Sequence, residues 1–150
     1  MRSTMRRGAA LAALSVTAAM GAALPANAGT AGTLEVTAVD FAFEGVPTSL
    51  DAGKYTIAFS NDGAEPHMFA IARLTEEGAA MTDDEILDAL DAGDDSFVDQ
   101  DSGFAFAPPG ADSDGKLKAK KTGEYAYVCF IENEAGPHYR QGMFGRLTVD

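Results

Sequence analysis

The 150-residue chain has no tryptophan, one cysteine and two histidines. One cysteine excludes an internal disulfide, so the fold must be held by packing and hydrogen bonds. Two histidines are too few to build a histidine-rich catalytic metal centre beside any other imidazole site. Positive charge is scarce as well: 11 Lys and Arg stand against 23 Asp and Glu. Three of those 11 are Arg2, Arg6 and Arg7, which leaves eight in residues 29–150 and a formal charge of −15 there. That balance disfavours nucleic acid and anionic membrane, where Lys and Arg supply the attraction. Beyond residue 28 no apolar run approaches the ~20 residues of a membrane span.

What the N-terminus does have is a basic start, an alanine-rich apolar run over 8–24, then Pro25 and the triplet Ala26-Asn27-Ala28. Those are the three parts of a secretory signal peptide, expected to be cleaved near Ala28. Residues 29–150 then form one domain, exported to a periplasm, a cell wall or the medium. A lone thiol outside the cell is a liability unless it is buried, paired between chains or bound to something. Cys129 therefore needs a function.

From Thr33 onward the pattern is that of strands. Leu34, Val36 and Ala38 alternate, followed by Phe41 and Phe43; Tyr55, Ile57 and Phe59 repeat the alternation. Asn61-Asp62-Gly63 marks a turn before a strand over His67 to Leu74. Glu76 to Asp101 holds 11 acidic residues and reads as an insertion. Within it Thr82-Asp83-Asp84-Glu85 fits a capping box, so a short helix is predicted over Thr82 to Ala92. The spacing of a calcium loop is missing, and a solvated acidic face is expected. After Pro108-Pro109-Gly110, Lys116, Lys118 and Lys120 alternate with Leu117 and Ala119, as on a solvated sheet face or a guarded edge strand. Tyr125 and Tyr127 lead into Cys129, and a last strand closes the chain. The fold class is all-β, an antiparallel Greek-key β-sandwich with a short helix in the acidic insertion.

The scarce soft donors are not scattered. Cys129, His138 and Met143 fall in "CFIENEAGPHYRQGM", and His67 opens a strand upstream in "EPHMF". In a sandwich, ends of strands distant in sequence cluster at one pole. Two imidazoles, a thiolate and a thioether are the donor set of mononuclear blue-copper electron-transfer sites.

"GEYAYVCF", "GPHYRQGMFGRLTV" and "EPHMF" resemble the cupredoxins, the plastocyanin and azurin group of blue-copper proteins. The resemblance runs over nearly all of 29–150 except the acidic insertion. It implies His67, Cys129 and His138 as equatorial ligands and Met143 as the axial ligand of one type 1 copper ion, Cu+ or Cu2+. It also implies electron transfer between redox partner proteins by a monomer that is not itself an enzyme; the negative charge reads first as solubility, and second as docking onto a partner's basic face. The alternative is a copper-free cupredoxin-like binding module or a copper carrier without redox work. Two departures stand out. Eight residues separate Cys129 from His138, more than in plastocyanins and similar to the blue site of copper nitrite reductases. Met68 also occupies the place after the first histidine where many members carry asparagine. The surroundings of the ligands must therefore differ.

Overall fold

The computed structural model describes residues 32–150; the signal segment and its cleavage point lie outside the described residues. The strands are β1 (Gly32–Val39), β2 (Ala42–Glu44), β3 (Ser49–Leu50), β4 (Gly53–Asn61) and β5 (His67–Leu74). Two helices follow, α1 (Glu76–Ala80) and α2 (Asp83–Asp91). After them come β6 (Val98–Ala107), β7 (Asp112–Ala119), β8 (Gly123–Val128), the short pair β9 (Glu132–Asn133) and β10 (Gly136–Pro137), and β11 (Phe144–Val149).

Nine of these strands make one curled sheet in the order β2-β1-β4-β7-β6-β5-β8-β11-β3. The alternation read from the sequence is what lets it curl. Leu34, Val36, Ile57, Phe59 and Leu117 from one half meet Phe69, Ile71, Tyr125 and Leu147 from the other in a single buried core. At ~25 cal/mol per Å2 of apolar surface removed from water, such side chains contribute about 1.5–3 kcal/mol each. Phe43, Phe69 and Tyr127 pack ring against ring, with centroids 5.2 to 5.8 Å apart.

The all-β sandwich is observed, with two departures from the sequence reading. β1 pairs parallel with β4, and β3 parallel with β11. A parallel pair needs a crossover; residues 40–52 supply it, turning back through β2 and crossing to the other half as β3. The second departure is β6, whose first residues fall inside what reads as an acidic insertion. Its buried positions are Ala105 and Ala107, while Phe104 and Phe106 face solvent. An outward-facing aromatic alternation hides a strand from a hydrophobic pattern. The lysines of β7 do lie on a solvated face, but β7 is interior, between β4 and β6.

Helix α2 carries the expected capping box, Thr82 accepting from the Glu85 amide and Glu85 accepting from the Thr82 amide. Ile86 from its inner face packs with Leu74, Phe97 and Ala126 in a second small core on the outside of the sheet. α1, capped by Thr75, was not signalled by the sequence.

Among the described residues β6 and β7 join the two halves through Gly103↔Leu117 and Phe104↔Lys116. Their backbones approach so closely that a Cβ at Gly115 would run into the Phe104 carbonyl oxygen. Gly115→Ala is therefore expected to lower folding stability by about 1–3 kcal/mol through overpacking, read as a shift of the urea midpoint at unchanged slope.

Candidate metal centre

His67 is the first residue of β5 and shares its inward face with Phe69 and Ile71. Cys129 directly follows β8, His138 opens a short 3-10 turn, and Met143 directly precedes β11. Because β5, β8 and β11 are neighbours in the sheet, their ends bring together residues 62 and 71 positions apart in sequence.

Backbone hydrogen bonds fix the turn that carries three of the four. The Cys129 amide donates to the Met143 carbonyl (3.0 Å), the Met143 amide to the His138 carbonyl (3.0 Å), and the Tyr139 amide to the Cys129 carbonyl (3.1 Å). Gly142 has φ 124°, a conformation that favours glycine, and a Cβ there would press on the Phe41 carbonyl oxygen.

His67, Cys129 and His138 place their donor atoms within 4.8 Å of one another. His67 Nδ1 lies 3.2 Å from His138 Nδ1, and Cys129 Sγ lies 4.0 and 3.6 Å from those two nitrogens. All three side chains and Met143 are 0% exposed. Burial pushes the Cys129 thiol up, against the pull of the Met68 and Ile131 amides; the Met68 amide donates to Sγ at 3.4 Å. Burial also pushes the His67 imidazole down, with Asp40 opposing.

The far side of each imidazole meets a carboxylate. His138 Nε2 donates to Glu65 Oε2 at 2.8 Å, and His67 Nε2 to Asp40 Oδ1 at 3.4 Å. A carboxylate at Nε2 keeps the proton there and leaves Nδ1 with a bare lone pair. Two bare lone pairs then face each other beside a sulfur, sealed from water, with no proton between them. A cation between them turns this repulsion into coordination, and two imidazoles with a thiolate suit copper. The residues fit the ion.

Four of these surrounding groups were not singled out in the sequence: Asp40, Asn61, Glu65 and Asn133. Asn61, read only as part of a turn, is buried; its Nδ2 donates to the Glu65 and Ala107 carbonyls at 2.8 and 2.9 Å. It braces the segment leading into His67, while Met68 supplies only its backbone amide to the sulfur. The acidic insertion also reaches the centre. Tyr139 donates to Asp91 (2.8 Å), and Arg140 pairs with Asp91 and Asp88, so α2 latches the turn that begins at His138. Burial, with Asp91 adding, pushes the Tyr139 hydroxyl up to about 12. In the sequence Pro137 and Phe144 give His138 an apolar surround, which would make its ring an electron exit if the ring edge reached the surface; that condition is not met. The ring is buried, Phe41 packs edge-on against it at 5.2 Å, and Phe144 joins the outer cluster instead.

The His67 shift has a testable sign. With the folded-state value below the ordinary 6.5, the unfolded chain takes up a proton first as pH falls. Metal-free protein should therefore lose stability as pH drops below about 6.5 and on through the lowered folded-state value. Urea midpoints at pH 7.5 and 5 test this, and His67→Phe should flatten the difference.

No family model matches the chain, and no curated protein sequence matches it. Solved structures do. Dithionite-reduced auracyanin from the photosynthetic bacterium Roseiflexus castenholzii is 24% identical with a TM-score of 0.52, over 81% of this chain and 99% of that one. Auracyanin A, a "blue" copper protein from the green thermophilic photosynthetic bacterium Chloroflexus aurantiacus, is 26% identical with a TM-score of 0.51, over 79% and 98%. A multicopper oxidase matches at 19% identity and a TM-score of 0.51, over 86% of this chain but 45% of that one. The architecture is thus the cupredoxin fold that the sequence resembled, and it carries a His–Cys–His cluster, with Met143 nearby, suited to one type 1 copper ion.

Proposed function

We propose that this chain is an exported blue-copper protein, a monomer that carries single electrons between redox partners. His67, Cys129 and His138 are its equatorial ligands and Met143 its axial one. The observation that carries the reading is the buried meeting of His67 Nδ1, His138 Nδ1 and Cys129 Sγ, with both Nε2 atoms committed to carboxylates. Bound copper would supply a one-electron couple, Cu2+ and Cu+. The chain's own part is to present the donors ready-made, exclude water from them and hold them still. Backbone bonds around Cys129, His138 and Met143 and the stacked rings beneath do the holding. The Met68 amide bond to Sγ favours the thiolate, which metal binding requires. A carrier fits better than an enzyme, because one cluster uses both histidines of the chain and leaves no imidazole for a second copper centre.

Cu(II) added to the purified chain is expected to give an intense visible thiolate-to-copper band that disappears in Cys129→Ser and survives cycles of reduction and reoxidation. No band at full loading would leave a copper-free binding module. A band from copper that cannot be cycled would leave a non-redox carrier.

Export is supported by the basic, apolar and A-x-A order of residues 1–28, and Gly29 is the expected first residue of the exported chain. The charge of −15 on residues 29–150 favours a partner with a Lys- and Arg-rich face. Electron exchange with such a partner should slow as salt is raised from 10 to 300 mM; rates indifferent to salt would remove steering from the account.

A further inference from the structure

The eight residues between Cys129 and His138 have a use in the geometry. They fold as the β9–β10 hairpin, Asn133 opposite Gly136. Asn133 Oδ1 accepts from the Ala135 amide (2.9 Å) and from Gln141 Nε2 (3.0 Å), and Gln141 also donates to the Gly136 carbonyl (2.9 Å). With its oxygen so engaged, Asn133 must turn its Nδ2 outward, and that atom donates to both oxygens of Glu65 at 3.2 and 3.1 Å. Glu65 is thus held at both ends: its carbonyl by Asn61 (2.8 Å) and its carboxylate by Asn133. Oε2, shared with Asn133, sits 2.8 Å from His138 Nε2, against 3.4 Å for the matching Asp40–His67 contact.

Resting on the copper reading above, we propose that Glu65, clamped by Asn133 of the long loop, is the positioning residue of the metal centre. It fixes His138 as the Nε2–H tautomer with Nδ1 aimed at the metal, and its charge biases a bound copper ion toward the oxidised state. Anions beside a cation favour its more positive form, and a carboxylate on the far nitrogen makes an imidazole a stronger donor. The clamp comes from within the eight residues that separate Cys129 from His138. The loop length is therefore part of the tuning.

Two measurements test this on the whole chain. In metal-free wild type, nitrogen-15 NMR should show His138 protonated at Nε2 and bare at Nδ1, a preference that Glu65→Ala weakens. In copper-loaded protein, Glu65→Gln keeps an oxygen for Asn133 and His138 but removes the charge. It should favour Cu+ over Cu2+ at least tenfold more than wild type does, a rise of about 59 mV for one electron, with the thiolate-to-copper band retained. Asn133→Ala, which leaves the carboxylate in place but unclamped, should move the potential the same way by less, and it decides the matter should Glu65→Gln fold poorly. An Nδ1–H tautomer in wild type, or a potential unmoved in Glu65→Gln and Asn133→Ala with the band intact, would overturn the proposal. A wild type that takes no copper overturns the copper reading instead, and the tautomer then decides alone whether Glu65 positions His138.

Discussion

Two imidazole nitrogens 3.2 Å apart, each with its proton committed to the other side of its ring, set the terms for everything around them. In water such lone pairs would separate and be solvated. Here they are sealed from solvent beside a thiol, and a buried acceptor without a partner costs about 1–3 kcal/mol. The fold must therefore hold apart from water, and close to one another, groups that gain nothing from meeting until a cation joins them. That is the physical meaning of a preformed site: the frame opposes the repulsion in advance, so binding need not order the donors.

The frame meets this demand through position in the sheet. β5 lies between β6 and β8, and β8 between β5 and β11, so the segments carrying His67 and Cys129 are each fixed by neighbours on both sides. Beneath them the stacked Phe69 and Tyr127 rings prevent the strand ends from sinking inward. Only the turn from His138 to Met143 lacks strand partners, and it has two other restraints. Its backbone closes on Cys129, and Tyr139 and Arg140 reach out to helix α2. Part of the acidic excess of the insertion is thus internal bracing. Exposed ion pairs contribute little alone, but several converging on one short turn restrict it.

What could be read from the sequence divides along the same physical line. Strands β4 and β5 were legible because one face of each is buried, and the α2 cap because a capping box is local. The His67–Cys129–His138 cluster was legible because its residue types are rare: one cysteine and two histidines leave few combinations. Glu65, Asp40 and Asn133 were not, since among 23 acids and many polar loop residues nothing local marks the ones that meet an imidazole. The partner that covers the His138 edge lies 73 residues upstream. For that reason the condition for a His138 electron exit, a ring edge at the surface, could not be judged from the sequence. Strand β6 escaped for the opposite reason: its large side chains point out and its small ones in.

Charge accounting links the site to the acidity of the whole chain. A thiolate and two neutral imidazoles around Cu2+ leave one net positive charge, and around Cu+ none. Asp40 and Glu65 stand directly against the His67 and His138 rings, so an oxidised centre would be the one whose charge they compensate, while a reduced centre would leave them facing no net charge. The remaining acids share their sign, but exposed charges beyond about 8–10 Å are screened at ordinary ionic strength. Distant surface acids can therefore steer a partner without setting the potential, whereas two carboxylates at hydrogen-bond distance can set the potential without steering. On the proposed reading, one kind of residue would serve both tasks, separated by its distance from the metal.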